Sequence, residues 1–264
     1  MNIFFRELKA NLKSLLIWSG ITVLFVVVGF SKFSAFYENP ELSAIIDSLP
    51  PAVLSALNLN AFNMTTITGF FGIMFTYLAL IVSISAVMWG SDIISKEERD
   101  RTVEFALTLP ITRQKLVTAK TLAALVNCIL LLLVTWGITV AMAPAYNPDD
   151  AFYSFLSLGI LALFILQLVF LAVGIFLGCA MKQYKRASSA AVFLLLGTYI
   201  LSILAALSNK LGFLKYFSPF SYFNPAVLMR ESRIDILFVF LSAGIIVVSL
   251  VGAYVSYAKR DLYI

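Results

Sequence analysis

The residues able to do chemistry in this chain are concentrated in one polar stretch, Ser91 to Lys120. It holds Glu97, Glu98, Arg101, Thr102, Glu104, Phe105, Pro110 and Arg113, with long apolar runs on either side. Both signs of charge alternate around an aromatic side chain, a composition suited to docking on a soluble partner through ion pairs and a ring anchor. The alternative is an interfacial loop whose basic residues only fix membrane orientation. Ser95 and Glu98 have capping-box spacing, so the pattern predicts a helix from Lys96 to about Leu109. Pro110 would end it, because proline lacks a donor and restricts the residue before it. Thr112 is positioned to cap the helix that follows.

Bond-breaking chemistry is harder to find, and no catalytic or metal-ligating residue is assigned. No G-x-x-x-x-G-K-[ST] phosphate loop occurs, so the chain has no means of cradling nucleotide phosphates. It contains no His, which excludes a Ser-His nucleophile and a His-ligated metal. No carboxylate pair falls within an apolar run, which removes intramembrane aspartyl chemistry. The absence of ionisable residues at membrane depth argues against proton coupling within the chain. Any work it performs must draw energy from elsewhere.

The elements that would hold the polar block are membrane spans. The 264 residues are 61% hydrophobic and 12% charged, against about 25% charged in soluble domains. Six runs, near 14–31, 67–91, 122–143, 151–181, 187–208 and 236–258, are long enough to cross a hydrocarbon core of about 30 Å. The expectation is an all-α, polytopic membrane protein forming a single transmembrane domain over 1–264. Of 19 Lys and Arg residues, 14 fall on one side: Arg6, Lys9 and Lys13, six from Lys96 to Lys120, Lys182 to Arg186, and Lys259 with Arg260. By the positive-inside rule both termini and the 91–120 block are cytoplasmic. The net charge of +5 follows from this bias and calls for no nucleic acid. Cys128 and Cys179 fall within apolar runs, which argues against a disulfide framework.

Other segments carry weaker signals. Phe4, Leu8 and Leu12 face away from Arg6, Lys9 and Lys13, predicting an N-terminal amphipathic helix in the interface; a plain extension of the first span is the alternative. Leu42, Ile45, Ile46 and Leu49 predict a short helix on the outer side, ended by Pro50-Pro51. Asn127 and Gln167 are amides at membrane depth, either bonded between helices or facing a pathway. Gly174-x-x-x-Gly178 permits close helix approach, within the chain or in a dimer. Tyr216, Phe217, Phe220, Tyr222 and Phe223 crowd a stretch broken by Pro219 and Pro225, which fits an interface belt or an outer gate.

Glu98-x-x-Arg101-Thr102-x-Glu104, followed by Leu107-x-Leu109-Pro110-Ile111-Thr112-Arg113 and Lys120, resembles the signature after the second span of ABC-2 type exporter permeases. Arg101 stands where that family usually has Gly. The resemblance implies that 96–109 is a coupling helix seated in an ATPase subunit, and that short re-entrant helices separate spans five and six. It implies partnership with two ATPase copies carrying ATP and Mg, a second permease chain (identical or paralogous) and surrounding lipid, with no cofactor on this chain. The compact layout is similar to bacterial antimicrobial-peptide and bacitracin-type exporter permeases, which implies a bacterial plasma membrane and an amphipathic or apolar cargo such as a peptide toxin, drug or lipid. The alternative is a membrane scaffold or assembly factor that recruits a soluble protein through 96–109.

Overall fold

The computed structural model describes residues 3–37, 39, 41, 48–50, 53, 62–99, 112–181, 183–207 and 209–259, with backbone alone at 93–95, 97–99, 184, 185 and 209. Six long helices traverse the molecule: α1 (Ile3–Phe33), α2 (Ile67–Arg99), α3 (Arg113–Met142), α4 (Asp150–Ala180), α5 (Tyr184–Leu207) and, after two short helices, α8 (Ile236–Ala258). The short pair is α6 (Pro219–Tyr222) and α7 (Pro225–Glu231). Tight 3₁₀ turns occupy Ala143–Tyr146 and Asn209–Phe217. All six long helices are apolar and long enough to cross a membrane, and the described fold is all-α.

Local chemistry sets the breaks. Asp149 caps α4 by accepting from the Phe152 N–H at 2.8 Å, and Asp235 caps α8 through the Leu237 N–H at 2.9 Å. Between α3 and α4 the turn passes through Asn147 at φ 46°, a left-handed conformation that Asn tolerates better than most residues. Pro219 and Pro225 each open a helix rather than interrupting one, since a first-turn N–H has no intrahelical acceptor to lose.

Two expectations are corrected. Residues 3–13 are continuous with the first span, so no separate interfacial helix forms there. Nothing between Asn11 and Ser14 breaks the hydrogen-bond ladder, and at 1.5 Å per residue the 31-residue α1 reaches about 46 Å, well beyond a core of about 30 Å. Likewise α2 does not stop near Ser91 and restart at Lys96; its backbone is helical through Arg99. Lys, Glu and Arg are good helix formers, so Ser95 lies inside a helix instead of capping one. The remainder of the expected 96–109 helix lies outside the described residues, as does the outer helix expected over 42–49 apart from Ser48 and Leu49.

Helices α2 and α4 form the centre. They bury 61% and 56% of their most apolar stretches, against 11% for α5. Gly174 and Gly178 explain the closeness: a Cβ at Gly174 would stand 2.5 Å from the Val87 carbonyl oxygen, and one at Gly178 2.8 Å from that of Ser91. The G-x-x-x-G therefore serves packing within this chain. At the other end of the same pair, Phe71 meets Phe152 and Phe155 edge-on at 5.7 and 5.8 Å. The outward faces of α1, α5 and α8 carry Leu24, Phe193, Phe240 and Val248, apolar surface fit for lipid.

Candidate functional site

At the basic end of the bundle the backbone of α2 stays helical to Arg99, eight residues past Ser91, where the polar stretch begins. Thr112 Oγ1 accepts from the Lys115 N–H at 3.3 Å and caps α3 as its sequence predicts. Arg113 donates from Nη1 to the carbonyls of Tyr257 and Ala258, 3.3 Å each, in the last turn of α8. A cation beside the last carbonyls of a helix meets the negative end of the helix dipole. Thr118 Oγ1 lies 2.8 Å from the Tyr254 hydroxyl, a second tie from α3 to α8. Of the sequence-predicted interface residues, Glu97 and Glu98 occupy the helical end of α2, and Arg113 opens α3 with its guanidinium on the last turn of α8. Arg101, Thr102, Glu104, Phe105 and Pro110 lie outside the described residues.

Sequence reasoning missed the most unusual feature of this end. Lys120 on α3 is fully buried, and its Nζ lies 3.6 Å from Oε1 of Glu7 on α1, itself 5% exposed in its side chain. Arg6 approaches the same oxygen at 3.5 Å from a half-exposed position. Two charges leave water here, a step that is tolerable only when each neutralises the other. One signal was available: Glu7 is the sole carboxylate among the first 37 residues. Nearby, Trp89 Nε1 donates to Ser14 Oγ at 2.9 Å, and the Ser91 hydroxyl donates to Ser188 at 3.3 Å. The start of α1 is thus bound to α3 by charge, and α2 is bound to α1, α4 and α5 by hydroxyls and bare backbone.

The two amides at membrane depth differ. Gln167 is fully buried and donates from Nε2 to the Val82 carbonyl at 3.4 Å, which ties α4 to α2. Asn127 is 1% exposed, and among the described residues neither its Nδ2 nor its Oδ1 has a partner. Cys128 beside it and Cys179 are both buried, and neither is in a disulfide.

At the opposite, aromatic end the short helices are seated by rings. Tyr222 stacks on Phe238 at 4.9 Å and 9°, and Phe220 lies between Phe170 (5.1 Å) and Tyr199 (5.3 Å). Tyr222 donates its hydroxyl to the Tyr216 carbonyl, and burial pushes that phenol above its usual pKa, so it remains a donor. Phe223 is buried against Tyr222, and Tyr216 approaches Phe238 at 6.2 Å. Phe217 stands apart, 66% exposed. Two cavities flank this plug: one of 160 Å³ lined by Thr76, Tyr199, Phe220 and Asn224, and one of 670 Å³ lined by Tyr222, Phe238, Lys215, Glu231 and Arg233. The larger mixes rings with both signs of charge.

A family model described as an ABC-2 family transporter protein matches residues 1–262, nearly the whole chain. Among curated proteins, none gives a significant match.

Proposed function

The chain belongs to the ABC-2 transporter family, and from that premise we propose that it is the permease subunit of an ABC exporter. Members of this family are the membrane components of their transporters and are not themselves catalytic. The cargo we infer is amphipathic or apolar: a peptide toxin or antimicrobial peptide, a drug or a lipid. Its export would confer resistance on a bacterial cell, with the protein in the plasma membrane and both termini cytoplasmic. ATP and Mg would be bound by a separate ATPase, present in two copies beneath two permease chains, identical or paralogous.

The observation that carries this reading is the continuous α2, one helix that runs from the apolar span into the polar block as far as Arg99. A rigid helix transmits a push at its end along its length. In this reading Glu97, Glu98, Arg101, Thr102, Glu104 and Phe105 meet the ATPase, and Pro110 and Arg113 set the angle at which the chain enters α3. Asn127, with an amide that nothing described satisfies, is the better pathway candidate; Gln167 already has a structural bond. Tyr216, Phe217, Phe220, Tyr222 and Phe223 form the outer gate.

The test is co-purification in mild detergent with the ATPase encoded beside the gene, followed by an ATPase assay. A stable complex is expected, with hydrolysis altered by charge reversal at Glu104 combined with Phe105→Ala. Absence of any captured ATPase would overturn the reading and leave the scaffold alternative.

A further inference from the structure

The ties at the basic end differ in strength and kind: α1 keeps one neutral hydrogen bond to α2, from Trp89 to Ser14, and α8 packs on α4 as well as on α3, so two connections stand out as the stiff ones. Helices α2 and α4 are locked by backbone contact at Gly90, Gly174 and Gly178, where no side chain intervenes to yield. Helix α3 meets α1 through Glu7 and Lys120, and α8 through Arg113 and Thr118. The segment 100–111 runs from the end of α2 to the start of α3, so it joins one connection to the other. Lys120 lies two turns inside α3 with no exposed surface, and its Nζ therefore cannot reach water by extending along the helix. Sliding α1 past α3 would pull opposite charges away from each other in a medium of low dielectric, where their attraction is far stronger than in water.

We propose that Glu7 and Lys120 are positioning residues that make α1 follow α3, so that a displacement of the 100–111 segment moves α1 and α3 together against the α2–α4 pair. The proposal rests on the coupling reading above, because it takes the push on 100–111 from an ATPase. Hydrolysis itself needs neither residue. Their role is to decide which helices move once the push arrives, and loss of the pair leaves α3 moving while α1 stays behind.

The experiment places spin labels at Ile17→Cys on α1, Met88→Cys on α2 and Ile129→Cys on α3, all on exposed faces, and uses the permease–ATPase complex in lipid nanodiscs. The native thiols are buried and take no label. With otherwise native sequence, a non-hydrolysable ATP analogue is expected to shift the Met88–Ile129 separation and to leave Ile17–Ile129 unchanged. In Glu7→Gln and in Lys120→Met, the Ile17–Ile129 separation becomes nucleotide-dependent. The exchanged pair, Glu7→Lys with Lys120→Glu, restores the fixed separation, which loss of packing alone would not do. Should the single variants fail to fold, the exchanged pair decides: a fixed separation supports the proposal, and a nucleotide-dependent one overturns it. An Ile17–Ile129 separation that moves with nucleotide in the native sequence, or stays fixed in both single variants, also overturns it. If no ATPase is captured, it is the permease reading that fails.

Discussion

At the basic end α3 is held to α1 by the Glu7–Lys120 pair and to α8 by Arg113, while at the aromatic end α6 and α7 are seated by Phe220 and Tyr222 against Phe170, Tyr199 and Phe238. The physical contrast lies in tolerance. A buried ion pair has one good geometry and loses heavily when pulled apart, whereas ring contacts keep much of their energy over a spread of offsets and tilts. Lipid chains are as apolar as the helices, so neither end gains from a hydrophobic drive between spans, and these specific contacts carry more of the association. In the reading proposed above, the basic end passes a displacement on in register and the aromatic end, beside cavities of 160 and 670 Å³, accommodates one.

The largest expected effect would break that contrast at the charged end. Lys120→Met leaves Glu7 buried with only the half-exposed Arg6, 3.5 Å away, to offset its charge, and should lower folding stability by about 3 kcal/mol, the lower end of the range for breaking a buried pair. Combining it with Glu7→Leu should recover most of that loss, because an apolar pair of similar volume avoids the desolvation of both ions. Thermal unfolding in detergent reads both variants. A double variant as unstable as the single would mean that Lys120 matters for its volume and not for its charge.

Next in size is Gly174→Ala. The added methyl would meet backbone atoms of Val87 and Ser91, neither of which can turn aside. Forcing the helices apart should cost about 1–3 kcal/mol, the usual range for overpacking. Gly137 and Gly244, on their own helices with nothing within 4 Å of where a methyl would stand, are the matched controls and should accept Ala without loss. Disulfide-trapped chain dimers should be unaffected by the Gly174 change if this motif serves only α2–α4 packing.

What the sequence makes legible follows from how local each signal is. Six apolar runs suffice for six spans, and Thr112 marks a helix start because a cap acts within a turn; Pro219 and Pro225 read as breaks, and only the structure shows each opening a helix. The first helix misleads because Arg6, Lys9 and Lys13 suggest an interfacial face, whereas the decisive residue is Glu7, whose partner lies 113 residues away. Ser95 and Glu98 have the spacing of a cap, but spacing is silent about whether the preceding helix has ended. The G-x-x-x-G is visible, yet its partner is not, since any close helix satisfies it.

At the aromatic end, Phe238→Leu keeps bulk and removes the stack with Tyr222, so a loss of about 0.5–1.5 kcal/mol is expected. The same variant should widen the access of a polar maleimide to Asn224→Cys, which lines both cavities. Lower stability with unchanged access would place the Tyr222 ring in a fixed wall instead of a movable plug.

The smallest effect sharpens the comparison at its midpoint, between the two ends. Gln167→Leu removes one 3.4 Å bond to Val82 and should cost about 0.6 kcal/mol, the average for such bonds between membrane helices. Asn127→Leu removes an amide with no partner among the described residues and so should cost nothing or stabilise slightly, since a buried unpaired amide is itself a penalty. In the proposed pathway reading transport should invert that order, with Asn127→Leu the more damaging change, because both ends of the Asn127 amide are left for the cargo whereas Gln167 spends its N–H on Val82. If Asn127→Leu is neutral for both stability and peptide tolerance in cells, the pathway does not run along this face of α3, and the displacement set up at the basic end must open the bundle elsewhere.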